Sequence, residues 1–160
     1  MISLIRPYRL ALILTLSLIT PGCQQDKQID SGFISVVVVD FDRSIQWYTN
    51  NLDFEVIDKT ENPERRLKQA NLKYHHINLE LIELGSAIKP SSLLDDTQNR
   101  VIFQGLFKTG FTIDAFEEKI SIWQENGVTS KDQVVKDPVT NKRMVVLRDP
   151  DGNRIQIFEK

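Results

Sequence analysis

Cysteine is almost missing from this chain. Cys23 stands alone among 160 residues, which excludes any disulfide within the chain. Histidine is nearly as scarce, and the two present, His75 and His76, are neighbours. On a strand they point to opposite faces, and His76 stands about 13 Å from Glu80 at ~3.3 Å per residue, too far to share one ion with it. The plain reading of the pair is a surface turn. The sharper one places a histidine at the mouth of a cleft as a proton shuttle or ligand contact. The nucleophile elbow GxSxG, a glycine-rich phosphate loop and CxxC are all absent. Neither sign of charge dominates: 20 basic against 22 acidic residues give no reason to expect nucleic acid as a partner. The apolar run Leu10–Ile19 supplies about ten residues, against the roughly 20 a helix needs to cross a bilayer.

That short run does fit another role. Arg6 and Arg9 precede it, and Thr20-Pro21-Gly22-Cys23 follows with small residues and the thiol. This is the layout of a secretory signal peptide. The cysteine directly after Gly22 resembles a bacterial lipoprotein signal, although Thr20 stands where leucine is usual. The resemblance implies a signal peptide over residues 1–22, an acylated Cys23 as the mature N-terminus, and a polar tether over 23–32. The protein would then be lipid-anchored in the bacterial cell envelope on the periplasmic side, with Gln24 favouring the outer membrane. Without Arg6 and Arg9, 18 basic residues face 22 acidic ones, so the remaining surface is mildly acidic.

From Phe33 the chain reads as two similar halves, 33–84 and about 105–160, joined by a Ser/Pro/Asp-containing linker over 85–104. A β-branched strand, Phe33 to Val39, precedes Asp40 and Asp42, which offer N-cap oxygens. Ile45, Tyr48 and Leu52 then fall on one helical face, with Asn50-Asn51 suited to closing the helix. Strands follow over Phe54–Asp58, Leu67–Leu72 and Ile77–Leu84, with a turn at Asn62-Pro63. The second half repeats the order. It has a strand Phe107–Ile113, a cap at Asp114, and a helix burying Phe116, Ile120 and Trp123 before Gly127. Strands come again near Gln133–Lys136, Met144–Arg148 and Arg154–Phe158, the last two joined by the turn Asp149-Pro150-Asp151-Gly152. Leu79-Glu80-Leu81-Ile82-Glu83 is echoed by Ile155-Gln156-Ile157-Phe158-Glu159.

Three segments, Val36–Val56, Gly110–Val128 and Asp149–Glu159, occur in the order and spacing of the vicinal-oxygen-chelate (glyoxalase, bleomycin-resistance, dioxygenase) family, which the chain resembles over residues 33 to 160. The resemblance implies an α+β fold of two βαβββ modules, whose strands curl into a half-barrel around a concave cleft. Metal-dependent members place a histidine at the start of the first strand of one or both modules and a glutamate in a closing strand. Family spacing maps those positions to Phe33, Glu80, Phe107 and Gln156. Phenylalanine has no donor atom, and one carboxylate with one amide falls short of the three protein ligands a catalytic site normally needs. The expectation is therefore a domain without metal or other cofactor.

Strand alternation and the resemblance together put Phe33, Ser35, Asn78, Glu80, Phe107, Thr109, Arg154, Gln156 and Phe158 in the cleft. Phe111 is assigned to the same face. Glu80 is the candidate catalytic or ligand-binding carboxylate; its bland alternative is an ion pair with Arg154. Trp47 lies off the apolar stripe of its helix and suits a contact with the partner module or with a second copy in a homodimer. Three functions stay open: a lipid-anchored module binding a small molecule without metal, an enzyme with an atypical site, and a protein-interaction domain.

Overall fold

Two βαβββ modules follow one another along the chain. The computed structural model describes residues 31–89, 92 and 104–160. The expected signal peptide, the expected acylation site Cys23 and most of the tether and linker lie outside the described residues. In the first module β1 (Phe33–Val38) leads through α1 (Phe41–Leu52) to β2 (Glu55–Asn62), β3 (Leu67–Tyr74) and β4 (Ile77–Leu84). In the second, β5 (Thr109–Ile113) leads through α2 (Phe116–Glu125) to β6 (Val135–Lys136), β7 (Arg143–Arg148) and β8 (Arg154–Glu159). The fold is α+β, with two mixed sheets ordered β1-β4-β3-β2 and β5-β8-β7-β6. In each sheet the first strand runs parallel to the last and the other pairs are antiparallel. The sheets are curved and do not close into a barrel.

Local chemistry explains the first helix. The Asp40 carboxylate accepts from the Arg43 N–H at 3.0 Å, satisfying one orphan donor of the first turn. Ile45, Tyr48 and Leu52 are buried along one stripe. The helix does not stop at Asn50-Asn51. It runs to Leu52, and Asp53 takes the left-handed cap with φ 55°, its N–H reaching the Tyr48 carbonyl. Asn51 stays helical because its amide donates to the Trp47 carbonyl at 2.9 Å. Strand β2 also outruns its expected end at Asp58, since its ladder with β3 continues to Asn62 opposite Leu67.

In the second module the sequence alignment is off by one residue. Ile34 pairs with Leu79, and Thr109 pairs with Ile155, the echo of Leu79. Thr109 therefore corresponds to Ile34, and Ala115, not Asp114, corresponds to the capping Asp40. Accordingly α2 has no side-chain cap. Asp114 instead pairs with Lys160 at 2.8 Å. The strand begins at Thr109, so Phe107 precedes it. Phe111 faces the core, where its ring meets Phe54 at 6.2 Å, and Gly110 and Thr112 take the opposite face.

One apolar cluster spans both modules. Leu72, Leu79 and Leu81 from the first sheet join Val145, Ile155 and Ile157 from the second, and Trp123 is 1% exposed among them. Three hydrogen bonds cross this junction. Trp123 Nε1 donates to the Asn51 carbonyl at 2.7 Å. The β7–β8 turn reaches the first module through two carboxylates. Asp149 accepts from the Tyr48 hydroxyl at 3.0 Å, and Asp151 accepts from the Val39 N–H at 2.9 Å.

Candidate functional site

The family's metal positions can be located from the strand register. Phe33 pairs with Asn78, two residues before Glu80. In the second module the residue two before Gln156 is Arg154, and the chain position beside it, one step before Thr109, is Lys108. Lys108, and not Phe107, thus occupies the place of the second histidine. The donor set reads Phe33, Glu80, Lys108 and Gln156. A phenyl ring and an ammonium group supply no lone pair to a cation. Among the described residues no three His, Cys, Asp or Glu side chains gather into a metal-binding group. These residues do not fit the family metal.

Glu80 is occupied within the protein. Its Oε2 accepts from the Ser35 hydroxyl at 2.6 Å and its Oε1 from the Gln69 amide at 2.7 Å. The two donors flank it on β1 and β3, the neighbours of β4 on either side. It makes no ion pair with Arg154, whose guanidinium lies over the Phe107 ring at 4.4 Å. Gln156 is 3% exposed and its amide contacts the Met144 thioether at 3.1 Å.

The nine expected cleft residues therefore separate. Ser35, Phe107, Thr109 and Arg154 share a cavity of about 420 Å³. Phe33, Asn78 and Glu80 line a different groove on the first sheet with Gln69 and Asn71. Gln156 and Phe158 line neither. The reason is the rigid pairing of β1 with β4: Ser35 stands at the boundary, hydrogen-bonded to Glu80 on one side and open to the cavity on the other.

The cavity lies between the modules. Its first-module wall is Ser35, Val37 and Tyr48, and its second-module wall is Phe107, Lys108, Arg148 and Arg154. Tyr48 is 3% exposed, and burial, followed by the charge of Asp149, pushes its phenol well above its ordinary range. It is thus a neutral hydrogen-bond donor, and the Asp149 carboxylate accepts its bond. Sequence reasoning put Tyr48 on the helix stripe and overlooked its hydroxyl, a polar handle that needs a partner once buried. It also overlooked Arg148, although Arg148 and Arg154 close the same turn and are direct cross-strand partners.

His75 and His76 form the exposed two-residue turn between β3 and β4, with His75 at φ 50° and its ring against Tyr74. Neither lines the cavity. Trp47 is half-buried, touches Tyr48 edge-on, and shares a groove with Val128 and Pro150 of the second module.

Comparison with known proteins adds the following. A model of the Glyoxalase/Bleomycin resistance protein/Dioxygenase superfamily matches residues 31–157. The chain is 27% identical over 127 residues to the uncharacterized protein YwkD of Bacillus subtilis (strain 168), spanning 79% of this chain and 94% of that protein. A glyoxalase family protein from Enterococcus faecalis superposes with a TM-score of 0.63 at 23% identity, over 84% of this chain and 98% of the other. The trypanothione-dependent glyoxalase I of Leishmania major gives a TM-score of 0.57 at 20% identity, over 79% and 84%. At these identities the two structures show a shared fold.

Proposed function

The chain belongs to the glyoxalase/bleomycin resistance protein/dioxygenase superfamily, and on that premise we propose that it binds a small molecule without the family's metal, tethered to the bacterial envelope by an acylated Cys23. The observation that carries this reading is the cavity of about 420 Å³ between the modules. Its size suits a small ligand, and its walls set the apolar Val37, Leu106, Phe107 and Ile155 among the cations Lys108, Arg148 and Arg154. Of the family's metal positions, Lys108 lines this cavity, while Glu80 and Gln156 lie outside it and are already engaged within the protein, Glu80 by Ser35 and Gln69, and Gln156 by Met144. Glu80 then serves to fix Ser35 at the cavity wall.

A thermal-shift screen of a small-molecule library, run with and without a chelator, tests the reading. Stabilisation that survives the chelator and disappears when Ser35→Trp fills the cavity supports it. Stabilisation seen only with added divalent metal refutes it.

Exposed apolar side chains favour a second reading, a homodimer. Phe33 on the edge strand β1 is 69% exposed and Ile57 is 59% exposed, and both border the groove beside Glu80. A second copy of the chain would cover them.

A further inference from the structure

We infer that the cavity between the modules takes a small organic anion with a flat apolar body, of which an aromatic carboxylate is the simplest form; this rests on the small-molecule reading above and names its ligand class. Arg148 and Arg154 are direct partners across the β7–β8 ladder, and both line the cavity. Directly opposed side chains share one face of the sheet at about 5 Å, and like charges so placed repel. Neither arginine makes an ion pair among the described residues. Lys108 extends the row past Arg154 and lines the same cavity. Three cations thus cross three adjacent chain segments in a domain that is net acidic.

The nearby carboxylates are otherwise engaged. Asp149 accepts from Tyr48, from the Asp151 N–H and from Asn153. Asp151 accepts from Val39. Asp137 is held by Thr140, with Lys108 only the smallest of the influences that lower its pKa. The fold does not demand such a row. At the matching positions of the first module stand Phe33, Asn78 and Lys73, with a single cation.

The donors suit an oxyanion. Each guanidinium offers five N–H groups in a planar fork. Arg148 uses one of its nitrogens on the Gly152 carbonyl at 3.1 Å. The Arg154 guanidinium lies over the Phe107 ring, 4.4 Å from its centre. Phe107 is 52% exposed and offers apolar surface to the body of the ligand. On the opposite wall the Ser35 hydroxyl already donates to Glu80, so the charge of the ligand is read by the arginines.

Calorimetric titration of the full chain in detergent with benzoate, benzamide and benzamidine tests this. Benzoate is expected to bind about tenfold or more tightly than benzamide, and benzamidine most weakly, since charge-assisted bonds are about twice as strong as neutral ones. Arg148→Gln and Arg154→Gln should each bring benzoate close to benzamide, while Lys136→Gln, remote on β6, leaves the preference intact. Thermal unfolding checks that each variant folds, and Arg154→Met replaces Arg154→Gln if that variant does not. Benzamide or benzamidine binding as tightly as benzoate overturns the ligand class and leaves the small-molecule reading standing. Benzoate binding untouched by either arginine change places the anion elsewhere and also overturns it. No binding by any of the three probes counts against both readings.

Discussion

The Tyr48 hydroxyl donates to the buried Asp149 carboxylate at 3.0 Å, joining α1 of the first module to the β7–β8 turn of the second. Tyr48 is 3% and Asp149 5% exposed, so the bond lies in a desolvated junction. Asp149 keeps three further donors, the Asp151 and Asn153 N–H groups and the Asn153 amide. Tyr48→Phe should therefore destabilise without unfolding, by about 1–2 kcal/mol. Chemical denaturation reads this, and an unchanged midpoint would remove the bond from the account.

The same bond fixes a pH dependence. The Tyr48 pKa is raised in the folded state, first by burial and then by Asp149. Its stabilising effect is complete below the unfolded value of about 10 and is lost as pH rises beyond it. Wild-type stability should fall faster than that of Tyr48→Phe above roughly pH 10. Parallel alkaline unfolding curves would contradict this.

Glu80 invites a catalytic role by its position, yet both oxygens already accept hydrogen bonds from Ser35 and Gln69. Glu80→Gln replaces one acceptor with a donor facing another donor. The expected loss is about 1–3 kcal/mol of stability. Affinity for a cavity ligand should change little. A large loss of binding with unchanged stability would restore Glu80 to the site.

The second helix lacks the cap that the first one has. Ala115 sits where Asp40 sits in α1, and no side chain bonds the first turn of α2. Ala115→Asp should raise stability by roughly 0.5–1 kcal/mol. The effect should be absent at pH 2, where the carboxyl is protonated. No gain at neutral pH would show that this turn cannot adopt the capping geometry.

Much of this was legible in the sequence. The apolar periods of Ile45, Tyr48 and Leu52 and of Phe116, Ile120 and Trp123 mark two helices, and alternation sorts Leu79 and Leu81 from Asn78 and Glu80. The one-residue slip in the second module was not legible, because Asp114 mimics a cap and only the pairing of Thr109 with Ile155 exposes the offset. That slip moved Phe111 to the wrong face and put Phe107 in the place of Lys108. The split of the cleft residues into two surfaces depends on how two sheets meet, which no local pattern encodes. The turn Asp149-Pro150-Asp151-Gly152 was readable as a turn. Its role as the fastening between modules was not, since Tyr48 and Val39 lie over a hundred residues away in sequence.

The central claim is that the cavity, and not a metal, holds the ligand. Native mass spectrometry of the full chain purified in chelator-free buffer measures this most directly. The account predicts a small organic adduct, released on denaturation, lost in Ser35→Trp, and unaccompanied by stoichiometric divalent metal. A bound divalent ion that leaves when Glu80→Gln is introduced would contradict it.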